Sequence, residues 1–560
     1  MGAERYAPAR AGHAARMGIP EVRERERVPG IRRWSGRPLG RTPLRARPGG
    51  VVPGIAVLCF VVGLAISLQQ YQRLRLGGFD LGLFDQAIRA YARFELPRST
   101  IKNVHHEFPP DFSLLGDHFS PVLVVVAPLY WIWNDPRVLL VVQALLFASG
   151  VPLVARLARA ETSRLLSPRG CRKFVAGACL VYALGAPLLF AARAGFHEVA
   201  FAVPLLLLLF ERARKGAHTH MVWAGVLLCL TKEDLGFVVG VFGAVLAVRA
   251  RRGGDGTAFR FGLLLLGGGF LAALLAITVA IPAMGGSSGF YWQYGRLGGD
   301  ATAAFKFLLL HPIDSLVVAL TPSAKALLLL WTFGSLFLLP LGSALSLCTL
   351  PLLAERLFSD NENHWQAVNH YGAFLWPVLI AAALETTGKL IRRAKERGGG
   401  VSPVAATVAV AGMTLVGFLV SGAGDLASPR LWKADAVTKA KVRAAALIPE
   451  GVTVEADNSI APRLTRKAGV MILDRVPRNA EWVIVATEKR VFPFTDIQQQ
   501  HDRIRLLESA GYRTVSAELG VHVLEKTSPD ITVPGSRLPG PDSTPVNDEF
   551  PVGISRRIFG

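Results

Sequence analysis

The sequence predicts a polytopic α-helical membrane protein, with about eleven transmembrane helices and a small C-terminal α/β extracytoplasmic domain. Three observations predict it. Of 560 residues, 51% are hydrophobic and only 18% charged, against about 25% charge in ordinary soluble domains; the mean hydropathy is +0.37. The apolar residues gather in blocks near or above the roughly 17–20 residues that cross a bilayer. The net charge of +21 is carried largely in short loops between those blocks, as expected when Arg and Lys hold loops in the cytoplasm. Charge dispersed in this way, with no nucleic-acid motif beside it, points to the lipid bilayer as partner and away from nucleic acid.

Residues 1–50 are rich in Arg, Pro and Gly without hydrophobic periodicity, and are read as a disordered basic cytoplasmic leader. Arg32-Arg33 lies too far from the next apolar run to act as a twin-arginine signal. Span one is Val51–Leu68, retained rather than cleaved, and the polar stretch 69–120 is an outer loop. Pro121–Trp133 is apolar but short, with Pro121 and Pro128, and reads as an interfacial or re-entrant helix. Spans two to four are Val138–Ala155, Phe174–Ala192 and Val199–Phe210. Met221–Val248 is apolar except for Thr231-Lys232-Glu233-Asp234. The basic loops on either side of it are both cytoplasmic only if the chain crosses twice and turns at Lys232–Asp234, giving spans five and six. Phe261–Ile281 is span seven, and an outer loop follows from Pro282 to Ser323. Spans eight to eleven are Lys325–Pro340, Leu341–Leu357, Tyr371–Leu384 and Val404–Val420. This order places the N-terminus in the cytoplasm and the C-terminal domain outside. The region 51–421 is thus a transmembrane domain.

Residues 425–527 have the composition of a soluble α/β domain. Strands are expected at Gly451–Glu455, Val470–Leu473 and Trp482–Ala486, and helices at Ser459–Lys467 and Asp502–Ala510. A terminal hairpin joins Thr514–Glu518 to Val521–Glu525 around Leu519-Gly520. Residues 528–560, rich in Pro, Gly, Ser and Asp, read as a disordered tail. The five cysteines all lie in or beside apolar segments, with no C-x-x-C, so neither a disulfide framework nor a zinc site is expected.

This topology collects unusual polar residues on one membrane face: Asp80 and Asp85 in Phe79–Gln86, His118 in Asp117–Pro121, His197-Glu198, Lys232-Glu233-Asp234, Trp292 and Tyr294, and His370. Taken singly, Asp80 or Asp85 suits a helix cap, and Tyr291, Trp292 and Tyr294 suit an interfacial aromatic belt. Lys232–Asp234 is harder to assign to structure alone, because a charge at the centre of a membrane helix costs roughly 2.5–3.5 kcal/mol on insertion scales. Convergence of these sequence-distant turns is the signal for a functional cavity.

The run Phe79–Gln86, Asp117-His118-Phe119-Ser120-Pro121, Phe196-His197-Glu198, Lys232-Glu233-Asp234 and Tyr294–Gly298 resemble the bacterial multi-pass family catalogued as domain of unknown function 2079, over roughly residues 55–527. More distantly, the chain resembles C-class membrane glycosyltransferases. That resemblance implies a polyprenyl-phosphate-linked sugar as donor and transfer on the outer side, with Asp80 at the position of the catalytic acidic residue. This chain has Asp80-Leu81 where that class commonly has two adjacent acidic residues. Under this reading Asp80 is the general base, with Asp85 as the alternative. Lys232 and Arg296 stabilise the leaving phosphate. His118, His197, Glu198, Glu233, Trp292 and His370 bind substrate, and a divalent cation is a candidate cofactor. Two other classes stand beside it: a transporter or flippase using Lys232, Glu233 and Asp234 as a mid-membrane site, and a non-catalytic envelope assembly protein.

Overall fold

The computed structural model describes residues 50–287, 292–399 and 403–533. The expected leader and tail therefore fall outside the described residues, apart from 50 and 528–533, and so does Tyr291. Among the described residues, five helices are long and apolar enough to cross a membrane: Val51–Gln72, Arg137–Thr162, Pro168–Ala194, Gly256–Ala283 and His370–Glu396. The bent pair Ala301–Leu310 and Pro312–Leu320, turned by 111°, would make a sixth if it is one crossing. The count of about eleven is thus not reproduced by length and composition.

The differences have local causes. The expected outer loop 282–323 contains that bent apolar pair, its two helices parted at His311-Pro312, where proline cannot donate to the helix ladder. The expected spans eight and nine are not continuous helices. Helix Ser323–Gly334 stops before Phe337 and Leu338, which take left-handed backbone angles (φ 52° and 58°). Short 3₁₀ turns then lead to helix Leu350–Phe358. The expected break in Met221–Val248 is present: helices His218–Cys229 and Leu235–Gly253 flank it. The latter packs closely on Gly256–Leu275, where Gly240 meets Gly269 and Gly243 meets Gly262 backbone to backbone. Such close contact between membrane helices needs small residues.

Helices Arg137–Thr162, Pro168–Ala183, Ala202–Lys215 and Trp376–Glu396 share the main core with Tyr182, Leu206, Phe242 and Trp376. One end of this bundle is closed by ion pairs. Arg214 meets Glu161 at 2.9 Å, and Arg249 grips Glu385 through two bonds of 2.9 and 3.0 Å. Lys215 reaches Glu211 at 2.7 Å.

The C-terminal sheet comprises β1 (Thr453–Ala456), β2 (Gly469–Ile472), β3 (Trp482–Ala486), β4 (Tyr512–Glu518) and β5 (Val521–Lys526), in the order β2-β1-β3-β5-β4. β1 runs parallel to β2 and β3, and β5 runs antiparallel to β3 and β4. The terminal hairpin turns at Leu519-Gly520, where both residues have positive φ. Two segments differ from expectation. The helix expected at Asp502–Ala510 begins earlier, at Ile497, because the Asp496 carboxylate caps Gln499 N–H while the Gln499 side chain accepts from Thr495 N–H in a reciprocal cap. The helix expected at Ser459–Lys467 shrinks to a single 3₁₀ turn, Ala461–Arg463, around Pro462.

Candidate functional site

The polar residues gather at the end of the bundle opposite the Arg214 and Arg249 ion pairs. Helix Ala202–Lys215 begins beside His197-Glu198 and ends at those pairs, so its two ends mark the two faces. Asp80 sits in a widened π-type turn, Gly78–Gly82, that follows helix Val51–Gln72; such turns are frequent at functional sites. Its side chain is 47% exposed, and Oδ1 lies 3.2 Å from His197 Nε2.

His197 is held from behind. Its backbone N–H donates to Gln143 Oε1 at 3.3 Å, and Gln143 Nε2 donates to the carbonyls of Ala191 and Gly195. Gly195, with φ +97°, makes the turn, a conformation favouring glycine. The His197 ring stacks on His370 with centroids 3.5 Å apart, and His370 adjoins Tyr371 at 4.2 Å.

Glu233 joins the broken helix to the loop before it. Its two oxygens take His118 Nδ1 at 2.9 Å and Phe119 N–H at 3.0 Å. Burial opposes charge on the His118 ring, but the Glu233 and Asp117 carboxylates outweigh it and push its pKa up to about 9. Burial likewise opposes charge on Glu233, and His118 outweighs it, holding the carboxyl down to about 2. Lys232 Nζ lies 2.5 Å from Asp234 Oδ2 and within electrostatic reach of Glu198, Glu233 and Glu355. Tyr371 lies within such reach of Asp80, Glu198, Lys232 and Arg356, and so links the Asp80 and Lys232 sides of the cluster.

Several members escaped the sequence reading. Glu355 lies within electrostatic reach of Asp234, Lys232 and Glu233. Buried Arg356 donates to the carbonyls of His364 and Gln366 at 2.8 and 2.9 Å, with its guanidinium 5.7 Å from the Tyr371 ring centre. Glu355-Arg356 ends an apolar run, the same kind of costly charge that drew attention to Lys232. Gln143 left a fainter signal, as a lone amide inside a span.

Other expected site residues are engaged elsewhere. Asp85 has no exposed side-chain surface; its oxygens bond Arg89 at 2.7 and 3.2 Å and Tyr130 at 2.7 Å. Asp85 is thus held in a buried ion pair, with no side-chain surface open in this structure. Arg296 is half-exposed, pairs with Asp360 at 3.6 Å and donates to Thr321 O. Trp292 donates to Gly298 O at 2.6 Å and meets Tyr294 edge-on. Among the described residues, no three His, Cys, Asp or Glu side chains are grouped to hold a metal ion, so the candidate divalent cation has no donor set there.

A search of curated proteins finds no match. Among solved structures, the chain is similar to ArnT from Cupriavidus metallidurans bound to undecaprenyl phosphate, at 14% identity and a TM-score of 0.45, covering 85% of this chain and 98% of that one. It is similar to the same protein in the apo state at 12% identity and a TM-score of 0.44, covering 84% and 98%. The family model described as a predicted membrane protein, DUF2079, matches residues 70–523, from the end of the first long helix into β5; the chain belongs to this family of predicted membrane proteins.

Proposed function

We propose that the chain is a membrane glycosyltransferase. It moves a sugar from a lipid-phosphate donor to an envelope acceptor, at the outer face of the bacterial cytoplasmic membrane. The observation that carries this reading is a half-exposed carboxylate, Asp80, bonded to His197 in a cluster that also holds Lys232 and Arg356. An acceptor hydroxyl attacking the anomeric carbon must lose a proton, and Asp80 receives it. The bond from that carbon to the phosphate oxygen breaks, and the phosphate leaves with the electron pair. Lys232 and Arg356 supply positive charge where that negative charge develops. His197, clamped by Gln143 and stacked on His370, orients the Asp80 carboxylate.

Arg356 also borders a narrow crevice lined by Leu328, Trp331, Leu375 and Leu379. Envelope glycans and glycolipids compared between a deletion strain and strains complemented with wild type or Asp80→Asn test the reading. One glycan should be lost on deletion, restored by wild type and not by Asp80→Asn. Full restoration by Asp80→Asn removes the proposed base. A reporter fused after Val420 should report an extracytoplasmic position.

The break at Lys232–Asp234 favours a second reading, a transporter or flippase of a lipid-linked or small polar substrate, since interrupted helices line many transport sites. That reading expects Asp80→Asn to be tolerated and Lys232→Met to abolish uptake or lipid translocation.

A further inference from the structure

The turn that carries Asp80 is not held by the membrane helices alone. Its first two amides are taken by one residue of the C-terminal sheet unit. Gly78 N–H donates to Asn458 O at 2.8 Å, and Phe79 N–H donates to Asn458 Oδ1 at 3.2 Å. Gly77 and Gly78 permit this approach. A Cβ on Gly77 would come within 2.7 Å of Asn458 Nδ2, and one on Gly78 within 2.5 Å of Ile472 Cδ1 and 2.9 Å of Ala461. Neither glycine has a positive φ, so close packing, not a tight turn, is the reason for glycine here.

Asn458 is itself fixed. It follows β1 in a turn where the Asp457 carboxylate accepts Ser459 N–H at 2.8 Å and buried Lys441 at 3.1 Å. Loops at the carboxyl ends of parallel strands are where open α/β sheets usually bind ligands; here the loop grips the chain's own segment. Further contacts flank the grip. Arg463 donates to Tyr71 O and lies 4.5 Å from the Tyr71 ring centre. Gln86 and Thr100 both donate to Val470 O, at 3.0 and 2.8 Å. Phe79 packs edge-on against Phe492 at 5.4 Å.

We propose that Asn458 is a positioning residue: by capping the Gly78–Gly82 turn it aims the Asp80 carboxylate at His197, so the C-terminal sheet unit completes the site instead of serving as a separate binding module. The proposal rests on the reading of Asp80 as the reactive carboxylate. Its geometric core is tested without any assay of transfer, so failure of one is distinguishable from failure of the other.

The test is hydrogen–deuterium exchange on the full chain in lipid nanodiscs, comparing wild type, Asn458→Ala, Asn458→Asp and Gly78→Ala. Asn458→Ala removes the acceptor of Phe79 N–H and should speed exchange across 77–83 about fivefold, the factor expected for one net hydrogen bond. β1 and β3 should stay protected. Asn458→Asp keeps an acceptor oxygen at the same place and should restore slow exchange, a rescue that general support of the fold would not require. Unchanged exchange in Asn458→Ala, or equal loosening in Asn458→Asp, overturns the proposal. If Asn458→Ala also loosens the sheet, Gly78→Ala decides, because it wedges the contact from the other side. Faster exchange over 77–83 above an intact sheet supports the proposal, and no change overturns it.

Discussion

The two ends of the helical bundle use the same residue types to opposite effect. At one end, three carboxylates are matched by cations: Glu161 with Arg214, Glu385 with Arg249 and Lys389, Glu211 with Lys215. At the other end, Asp80 pairs with a histidine and keeps nearly half its side chain exposed, while Lys232 sits among Asp234, Glu233, Glu198 and Glu355. Charges neutralised in close pairs serve the structure. A carboxylate left open beside a histidine and a cation-bearing cluster is the feature on which the proposed proton transfer rests. The contrast recurs within one short segment, where Asp85 is enclosed and bonded while Asp80, five residues earlier, is open.

The largest effect should come from Asp80→Asn. It preserves size and removes the basic carboxylate, so transfer measured in membranes should fall by roughly 10²–10⁴-fold with protein abundance unchanged. Asp85→Ala should act on stability instead. It leaves Arg89 buried without its counter-charge, a loss of about 3–5 kcal/mol, seen as reduced thermal stability of the purified protein. If Asp85→Ala leaves stability intact but abolishes transfer, the division between the two aspartates is wrong.

At the closed end, Arg249→Ala removes two charge-assisted hydrogen bonds to Glu385. It should cost about 1.5–3 kcal/mol, while transfer per folded molecule is unchanged. A large loss of turnover there would dissolve the contrast between the ends.

The smallest effect concerns pH. The folded pKa of His118, about 9, lies above its ordinary value. Its contribution to stability is complete below about pH 6.5 and is lost as pH rises through about 9. Glu233 is shifted the other way, so its contribution is present above about pH 4.5 and is lost as pH falls through about 2. The pair should therefore hold across neutral pH and weaken toward pH 9. Because the His118 side chain is 41% exposed, solvent softens the effect. Thermal unfolding followed from pH 7 to 10 should show a small decline that Glu233→Gln abolishes.

Much of the site's membership was legible because charge inside an apolar context is costly. His118, His197, Lys232, Glu233 and His370 announced themselves as polar turns between apolar blocks. What pairs with what was not legible: His118 with Glu233, 115 positions apart, and Asp80 with His197, 117 apart. Glu355 and Arg356 escaped because they close an apolar run that reads as a plain span. The expected spans eight and nine failed for a related reason: hydropathy registers the apolar length of Lys325–Leu357 but not the left-handed turn at Phe337-Leu338 that breaks it.

The sequence by itself determined the membrane-embedded helical class, the break at Lys232–Asp234 and the hairpin at Leu519-Gly520. Each follows from local rules: apolar length, the cost of charge in lipid, and glycine's tolerance of positive φ. Only the tertiary structure decided that Gly77 and Gly78 are there to admit Asn458, nearly four hundred residues later, and that Asp85 is enclosed while Asp80 is open. Those outcomes depend on which surfaces meet across the fold, and local periodicity carries no record of a contact between segments so far apart in the chain.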